Sequence, residues 1–221
     1  MKILVVEDES LMREVLVKLV TDKFGFTVVG QARDGLEAIE ICRQEAVDMV
    51  LLDIMVPKIS GVEVAETIFK EKPNMRILAV SNEFDEFTLN QIFKSGVHGF
   101  VDKRGTSLEI LAEAIECVAS GKPFFTQFAI NMKNKLRGDP SSFTRILSDR
   151  EQEVLKFFSQ GLSDDSISER LDIRPRTVQT HRHNILKKLE LHGTPELMNY
   201  GIKKGFWKYR EAVDGSWVEA P

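Results

Sequence analysis

The sequence lacks any stretch of about 20 apolar residues, the length with which a helix crosses a bilayer. Only two of its 221 residues are cysteines, Cys42 and Cys117, and neither has the spacing of a metal or redox motif. A secretory leader is not expected either, because Met1 and Lys2 pass directly into a predicted strand followed by Glu7. We therefore expect a cytoplasmic protein whose two thiols are reduced and packed among apolar neighbours.

A large excess of one charge is also missing, since 30 Lys and Arg stand against 34 Asp and Glu, a net charge of −4. The two halves of the chain nevertheless differ. Residues 1–121 carry 13 basic and 21 acidic side chains, whereas residues 122–221 carry 17 basic and 13 acidic ones. A chain of this length is expected to form two domains, and the basic second half is typical of a domain that meets a polyanion.

The first half is organised around Met49–Pro57. Residues 49–52 and Ile54 are apolar without alternation, which predicts a central strand of a parallel sheet with helices on both faces. Asp53 interrupts that run. A carboxylate at this position is costly unless it is used, and ligands bind at the carboxyl ends of strands in open α/β sheets. Taken alone, Asp53 is also compatible with an aspartate that merely ends a strand.

Three further predicted strands are followed by or end in polar side chains. They cover residues 2–6, 77–80 and 99–103, and helical segments separate them, so all four strands are expected to run parallel. Their carboxyl ends then bring five side chains to one edge of the sheet: Glu7, Asp8, Asp53, Ser81 and Lys103. Crowded carboxylates repel one another and need a cation, and their hard oxygen atoms suit Mg²⁺.

Residues 1 to about 121 resemble the receiver domain of bacterial response regulators. The resemblance rests on elements that occur in the order of that family: the acid pair Glu7-Asp8, the segments Asp34–Ala38 and Asp53–Gly61, Ser81, and the segment Gly96–Lys103. It implies a flavodoxin-like α/β fold with five parallel strands in the order 2-1-3-4-5 and five helices. It also implies that Asp53 accepts a phosphoryl group from a sensor histidine kinase.

The same resemblance implies a Mg²⁺ site. Asp8, Asp53 and the backbone carbonyl of Met55 would hold the ion, with Glu7 acting through a water molecule.

Three further residues would bind the phosphoryl group and carry the switch: Ser81 and Phe100 as the switch pair, and Lys103 as the cation that meets the phosphoryl oxygens. The lifetime of the phosphoryl group stays open at this stage.

A linker separates the two halves. Residues 122–143 contain the turn signal Gly138-Asp-Pro-Ser-Ser, and the apolar residues before it predict a short docking helix. Residues 144–208 are predicted to form the second domain, and residues 209–221 a tail to which we assign no role. Ser148 and Glu151 have the spacing of a capping box at the start of the first helix of that domain.

Two helices joined by a turn are predicted inside the second domain. They cover residues 163–171 and 176–189, and Pro175 stands at the start of the second helix. The second helix has an apolar face and an opposite face that is polar and basic. Between residues 174 and 189 there are five Lys or Arg and no acid. Charge alone favours a basic face that is simply solvated.

About 45 residues of this region resemble the LuxR-type helix-turn-helix, in register. The matching segments include Leu147–Glu151, Gly161–Ser163, Arg176–Val178 and Lys188-Leu189. The family pattern implies that Gln179, Thr180 and His183 point at base edges. It places four cations near DNA phosphates: Arg176, Arg182, Lys187 and Lys188.

The two resemblances together imply a phosphorylation-dependent, DNA-binding transcription regulator of the NarL/FixJ class, with an all-α second domain. Its expected partners are a sensor histidine kinase and double-stranded promoter DNA, its cofactor is Mg²⁺, and it is expected to dimerise when phosphorylated. No enzymatic activity is expected beyond its own phosphorylation.

Two alternatives stay open at this stage. A regulator that works without phosphate would keep the same fold but lack a complete acidic site. A phosphatase or hydrolase on the same sheet would place another aspartate shortly after the nucleophile, where this chain has Ile54-Met-Val-Pro57.

Overall fold

The computed structural model describes residues 1–82, 85–207, 209–211 and 217–219. The chain divides into two compact units. The first draws on residues 1–84 and 89–131, and the second on residues 85–88 and 132–220. Within the described residues, no helix is long and apolar enough to cross a membrane.

The first unit contains a sheet of six strands in which every neighbouring pair is parallel. The strands are β1 (Lys2–Val6), β2 (Thr27–Ala32), β3 (Met49–Asp53), β4 (Arg76–Ser81), β5 (Gly99–Asp102) and β6 (Phe124–Phe125). Their order across the sheet is β2-β1-β3-β4-β5-β6. The flavodoxin-like fold and the predicted order 2-1-3-4-5 are therefore confirmed.

The predicted number of five strands was one too low. Phe124 and Phe125 pair with Gly99 and Phe100 of β5. A segment of two residues carries no periodicity that a sequence pattern detects. It becomes a strand here because β5 would otherwise present an unpaired edge.

A helix follows each of the first five strands. These helices are α1 (Ser10–Lys18), which a π-helical segment (Leu19–Lys23) continues, α2 (Gly35–Gln44), α3 (Gly61–Glu71), α4 (Glu86–Lys94) and α5 (Leu108–Ala119). Side-chain caps fix where three of them begin. Asp34 caps α2 and Ser107 caps α5, while Ser60 forms a capping box with Glu63 at α3.

Both faces of the sheet are covered, as the apolar run of β3 predicts. Val50 and Leu52 belong to a core cluster that includes side chains of α2 and α3. Met49 and Leu51 belong to a second cluster that includes side chains of α1 and α5. All five residues of β3 are buried, so Asp53 lies at the end of a strand that has almost no contact with solvent.

Gly61 allows α3 to begin close to the end of β3. Its backbone N–H donates to the Ile54 carbonyl at 3.0 Å. A Cβ at this position would lie 2.3 Å from the Asp53 carbonyl oxygen, which is closer than any side chain tolerates. Glycine is therefore required where the chain turns back after Asp53.

The segment predicted as a linker is largely structured. After β6 it forms α6 (Gln127–Gly138), and α7 (Phe143–Ile146) follows, capped by the Ser142 side chain. The predicted docking helix corresponds to α6, which is twelve residues long.

The second unit is built mainly from helices. They include α8 (Asp149–Ser159), α9 (Asp164–Leu171), α10 (Pro175–Lys188) and α11 (Thr194–Lys204), around a core that contains Val154, Phe158, Ile167, Val178, Ile185 and Leu197. The capping box is present, since Glu151 N donates to Ser148 Oγ and Ser148 N donates to Glu151 Oε2. In the predicted tail, β7 (Tyr209–Glu211) and β8 (Trp217–Glu219) pair antiparallel, and the remainder of residues 208–221 lies outside the described residues.

Candidate functional site

The parallel sheet brings its polar strand ends to one edge. Asp53, the last residue of β3, lies opposite Val80 of β4, and Ser81 lies opposite Asp102 of β5. Lys103 N donates to the Ser81 carbonyl at 2.9 Å, so the lysine backbone is held against the end of β4. Glu7 follows β1 directly, and its N–H donates to the Ala32 carbonyl at 3.0 Å.

One ammonium group joins two of these carboxylates. Lys103 Nζ lies 2.6 Å from Glu7 Oε2 and 2.7 Å from Asp53 Oδ2. Each of the three side chains is at most 6% exposed. Removing charges from water is costly, and this cost is offset only where the charges are paired at short distance, as they are here.

The carboxylates of Glu7, Asp8 and Asp53 form an acidic cluster. Their ligand oxygens all lie within 4.8 Å of one another. Glu7 and Asp53 are buried, whereas Asp8 is exposed and opens the cluster to solvent. A set of three carboxylates with an open side fits a hard divalent cation that keeps some of its water, as Mg²⁺ does.

Met55 is adjacent to the cluster through its backbone. Its N–H donates to Asp53 Oδ1 at 2.9 Å, whereas Lys103 Nζ lies next to the other carboxylate oxygen, Oδ2. The part predicted for the Met55 carbonyl remains a prediction.

Burial and crowding shift the protonation of the site. Burial, and next the nearby charge of Asp53, raise the pKa of Glu7 to about 7, although Lys103 acts in the opposite direction. Burial lowers the pKa of Lys103, but the charges and hydrogen bonds of Asp53 and Glu7 outweigh it, and the net pKa is raised. Lys103 therefore stays charged at neutral pH, while Glu7 is close to its titration midpoint.

The predicted switch pair lies in the sheet. Ser81 and Phe100 are both fully buried. Phe100 stands between Ala79 of β4 and Phe125 of β6 in the strand register, and its carbonyl accepts from Thr126 N at 3.2 Å. Phe125 in turn lies against Phe93 of α4, with ring centroids 5.1 Å apart. The predicted switch residue is thus tied by its backbone to the strand that precedes α6.

Arg13 is a residue of this region that the sequence analysis did not single out. It lies on the buried face of α1 and is 8% exposed. Its Nη1 donates to the carbonyls of Glu7 and Asp8 at 2.8 and 3.3 Å, and its Nη2 donates to Ser10 Oγ at 3.4 Å. The available signal was an arginine three residues before Leu16, on the apolar stripe of the helix.

The second unit contains the predicted helix-turn-helix. α9 ends at Leu171, and Asp172 takes a left-handed conformation with φ of 48° before α10 begins at Pro175. Val178 and Ile185 of α10 are buried. Of the seven predicted DNA contacts, Arg182 is half-buried and the others are exposed: Arg176, Gln179, Thr180, His183, Lys187 and Lys188.

Two of these cations are engaged inside the unit. Lys188 Nζ lies 2.7 Å from Glu151 Oε2 of the capping box, and Glu151 is almost fully buried. Arg182 Nη2 lies 3.0 Å from Asp164 Oδ2 of α9, and its guanidinium is 5.7 Å from the Phe158 ring centroid. Both pairs fix α10 to the neighbouring helices, a role that the sequence analysis did not assign to them.

Comparison with protein families gives two matches. Residues 3–116 match the response regulator receiver domain, and residues 145–200 match the bacterial regulatory proteins of the luxR family. The first match covers the acidic cluster, Ser81, Phe100 and Lys103, and the second covers α8, α9 and α10.

Full-length relatives share both parts. The response regulator UvrY of Escherichia coli is 29% identical over 92% of this chain and 94% of its own length. The transcriptional regulatory protein DegU of Brevibacillus brevis is 29% identical over 95% of this chain and 96% of its own length. Among solved structures, RcsB of Salmonella enterica serovar Typhimurium, bound to the promoter rprA with the phosphomimetic BeF₃⁻, has a TM-score of 0.65 at 19% identity. That similarity covers 90% of this chain and 97% of RcsB. The chain therefore belongs to the response regulators that join a receiver domain to a LuxR-type helix-turn-helix domain.

Proposed function

We propose that a sensor histidine kinase phosphorylates Asp53 and that this phosphorylation controls the binding of promoter DNA by α10. The arrangement of Lys103 between Asp53 and Glu7, beside the exposed Asp8, carries this proposal. It supplies an acceptor carboxylate, a cation for phosphoryl oxygens and a place for a divalent cation at one edge of the sheet. The chain acts on no other substrate in this proposal and is a regulator, not an enzyme.

The transfer exchanges one bond to phosphorus for another. A carboxylate oxygen of Asp53 forms a bond to phosphorus while the bond from phosphorus to the kinase histidine nitrogen breaks, and the electron pair stays on that nitrogen. Catalysis of this kind is mostly positioning and electrostatic stabilisation. The Met55 N–H orients the acceptor carboxylate, and Lys103 carries positive charge to its other oxygen.

The donor set fits Mg²⁺, which would be held by Asp8, Asp53 and the Met55 carbonyl, with Glu7 through a water molecule. When bound, the ion supplies positive charge to the phosphoryl oxygens. The chain contributes hard oxygen atoms, and the Glu7 carboxyl group gives up its proton more readily once a cation lies nearby.

DNA is read by the exposed face of α10 in this proposal. Gln179, His183 and Lys187 follow one another at intervals of four residues and lie on one face. The amide and imidazole of the first two suit base edges, and the lysine suits a phosphate. The RcsB complexes with promoter DNA support this proposal by analogy of fold.

Dimerisation is proposed to accompany phosphorylation. One helix-turn-helix buries little surface, and two copies read two half-sites about one helical turn apart. Sedimentation of the full chain with and without BeF₃⁻ measures this coupling. A monomer under both conditions, together with tight operator binding, would exclude it.

Labelling with acetyl phosphate tests the acceptor. Asp53→Asn is expected to lose the mass increase of one phosphoryl group that the unmodified chain shows with Mg²⁺. Asp48→Asn is the matched control, because Asp48 lies five residues earlier, at the amino end of β3, and is exposed. Wild-type labelling of Asp53→Asn would reject the assignment.

The same samples separate the two alternatives. A regulator that works without phosphate would bind its operator equally before and after labelling. A phosphatase would consume acetyl phosphate without accumulating a phosphoryl group on the chain, whereas a regulator accumulates up to one phosphoryl group per chain. Ile54 and Val56 after the acceptor are buried and apolar, which gives a phosphatase no second acid there.

A further inference from the structure

Arg13 occupies an unusual position for an arginine. It is 8% exposed and shares the buried face of α1 with Leu16. Arginine is rarely buried unless its charge and its N–H groups have partners. What Arg13 contacts therefore indicates what it does.

The partners of the Arg13 guanidinium belong to the turn between β1 and α1. Nη1 donates to the carbonyls of Glu7 and Asp8 at 2.8 and 3.3 Å, and Nη2 donates to the Ser10 hydroxyl at 3.4 Å. These two carbonyls belong to the two consecutive acids of the cluster. A carbonyl and a side chain of one residue share a Cα, so a bond that holds the peptide also fixes the point from which the carboxylate extends.

We propose that Arg13 is a positioning residue for the divalent-cation site. It holds the turn after β1 so that the Glu7 and Asp8 carboxylates face Asp53 together. It acts through the backbone of these two acids and donates to neither carboxylate. The inference rests on the proposed function of the acidic cluster and adds a residue that sets its cation affinity.

Charge and packing give different expectations for the same residue. A positive charge beside a divalent cation repels it, so by charge alone the loss of Arg13 would tighten cation binding. A side chain that only filled space would affect the unfolding of the protein but not the cation affinity of the folded state. A positioning residue, in contrast, weakens cation binding when it is removed.

The direct test is cation binding by the full chain without phosphodonor. Electron paramagnetic resonance counts free Mn²⁺, and competition with Mg²⁺ gives the affinity for the second ion. Arg13→Met keeps an apolar stem and removes both the donors and the charge. We expect its dissociation constant to rise about tenfold, the usual effect of losing a group that orients metal ligands.

Two further variants complete the test. Arg43→Met is the matched control, because Arg43 is an exposed arginine of α2 that pairs with Glu71 and touches no residue of the cluster. Its affinity is expected to stay within twofold of the unmodified chain. Arg13→Lys keeps the charge but has a single ammonium group in place of the planar guanidinium. We therefore expect an intermediate, severalfold loss of cation affinity.

The rate of labelling supplies a second readout. With acetyl phosphate at increasing Mg²⁺, the half-saturating Mg²⁺ concentration of Arg13→Met should rise about tenfold, while the rate at saturating Mg²⁺ changes little. A lower rate at saturation with unchanged half-saturation would overturn the inference.

The cation measurement keeps this inference separate from the proposed function. If the unmodified chain binds the cation but is not labelled, the proposed phosphorylation is wrong. The comparison of cation binding between Arg13→Met and the unmodified chain still tests the role of Arg13. Unchanged or tighter cation binding by folded Arg13→Met overturns the inference. If Arg13→Met does not fold, Arg13→Lys decides: severalfold weaker binding supports the role, and unchanged binding overturns it.

Discussion

Lys188 and Glu151 are joined by an ion pair of 2.7 Å between Nζ and Oε2, across 37 positions of sequence. The glutamate also accepts from the backbone N–H and the hydroxyl of Ser148. One carboxylate thereby connects the start of α8 with the end of α10. The last turn of the proposed recognition helix is anchored to the core of its own unit.

This pair predicts different behaviour for two adjacent lysines. Lys188→Met removes a partner of a buried carboxylate and is expected to lower the free energy of unfolding by about 1–2 kcal/mol. Solvent keeps the effect small, because Lys188 itself is 42% exposed. Lys187→Met should leave stability unchanged, yet reduce the slope of log affinity for DNA against log salt by about one.

Tryptophan fluorescence measures the stability of this unit, because both tryptophans, Trp207 and Trp217, fall in residues 132–220.

Burial raises the pKa of Glu151, but the hydrogen bonds of Lys188 and Ser148 outweigh it, and the net pKa is lowered. The stabilisation is thus present above the ordinary value of 4.5 and is lost as the pH falls through the lowered pKa. A stability difference that persists in acid would contradict this account of the pair.

The sequence predicted four strands of the first unit because their apolar runs have a simple physical meaning. An uninterrupted run such as residues 49–52 is stable only between two covered faces, and the polar residues that follow the strands must then meet at one edge. The convergence of Glu7, Asp53 and Lys103 follows from parallel pairing alone, before any side-chain contact is known.

Other features depend on contacts that no local pattern contains. β6 exists because β5 offers an edge, and Phe124 and Phe125 alone carry no strand signal. Arg13 binds carbonyls, which every residue has, so its partners are invisible in the sequence. The ion pair of Lys188 could not be predicted because its partner Glu151 lies two helices earlier, and the phosphate contact of Lys188 stays a prediction.

Glu7 is expected to destabilise the first unit at alkaline pH in the absence of a divalent cation. Burial and the charge of Asp53 raise its pKa to about 7. A raised carboxyl pKa means that the folded state is favoured below the ordinary value of 4.5 and loses this advantage as the pH rises through 7. Glu7→Gln should therefore raise the free energy of unfolding at pH about 8 by roughly 1–3 kcal/mol, because a tenfold change in proton affinity corresponds to about 1.4 kcal/mol.

Circular dichroism of the full chain measures this effect. Tryptophan fluorescence follows the unfolding of the second unit, so the transition that appears only in circular dichroism is that of the first unit. The gain should shrink towards pH about 5, where Glu7 of the unmodified chain is protonated. Glu14→Gln on the exposed side of α1 serves as the control. An equal gain or loss at both pH values would show that Glu7 does not carry the shifted titration.

Lys103→Met is expected to leave Asp53 able to accept a phosphoryl group. The phosphoryl group should, however, no longer control DNA binding. Without the ammonium, the buried carboxylates of Glu7 and Asp53 repel each other, and breaking such a pair costs about 3 kcal/mol of stability. Added Mg²⁺ should recover part of this loss, because it neutralises the same oxygens. Acetyl phosphate labelling persists, since Asp53 is intact, whereas the effect of phosphate on DNA binding falls.

Lys18→Met, an exposed change on α1, controls for the loss of one positive charge in this unit. Operator binding before and after labelling is the measurement. A full phosphate response in Lys103→Met would remove Lys103 from the switch, even if the stability of the unit falls as expected.

Gln179 is expected to read a base, because it is exposed near the start of α10 and its amide presents a donor and an acceptor together. A bidentate contact of this kind with adenine is worth roughly 1–3 kcal/mol of discrimination. Gln179→Ala should therefore relax the preference at one base pair while the salt dependence stays almost unchanged.

Lys187, two turns further along the same face, has a flexible cation without fixed geometry, so Lys187→Met should weaken binding to every sequence alike. Titrations of both variants on an operator and its single-base variants at several salt concentrations separate the two effects. If both variants lose the same amount on every sequence, or if their effects are exchanged, α10 does not enter the major groove as proposed.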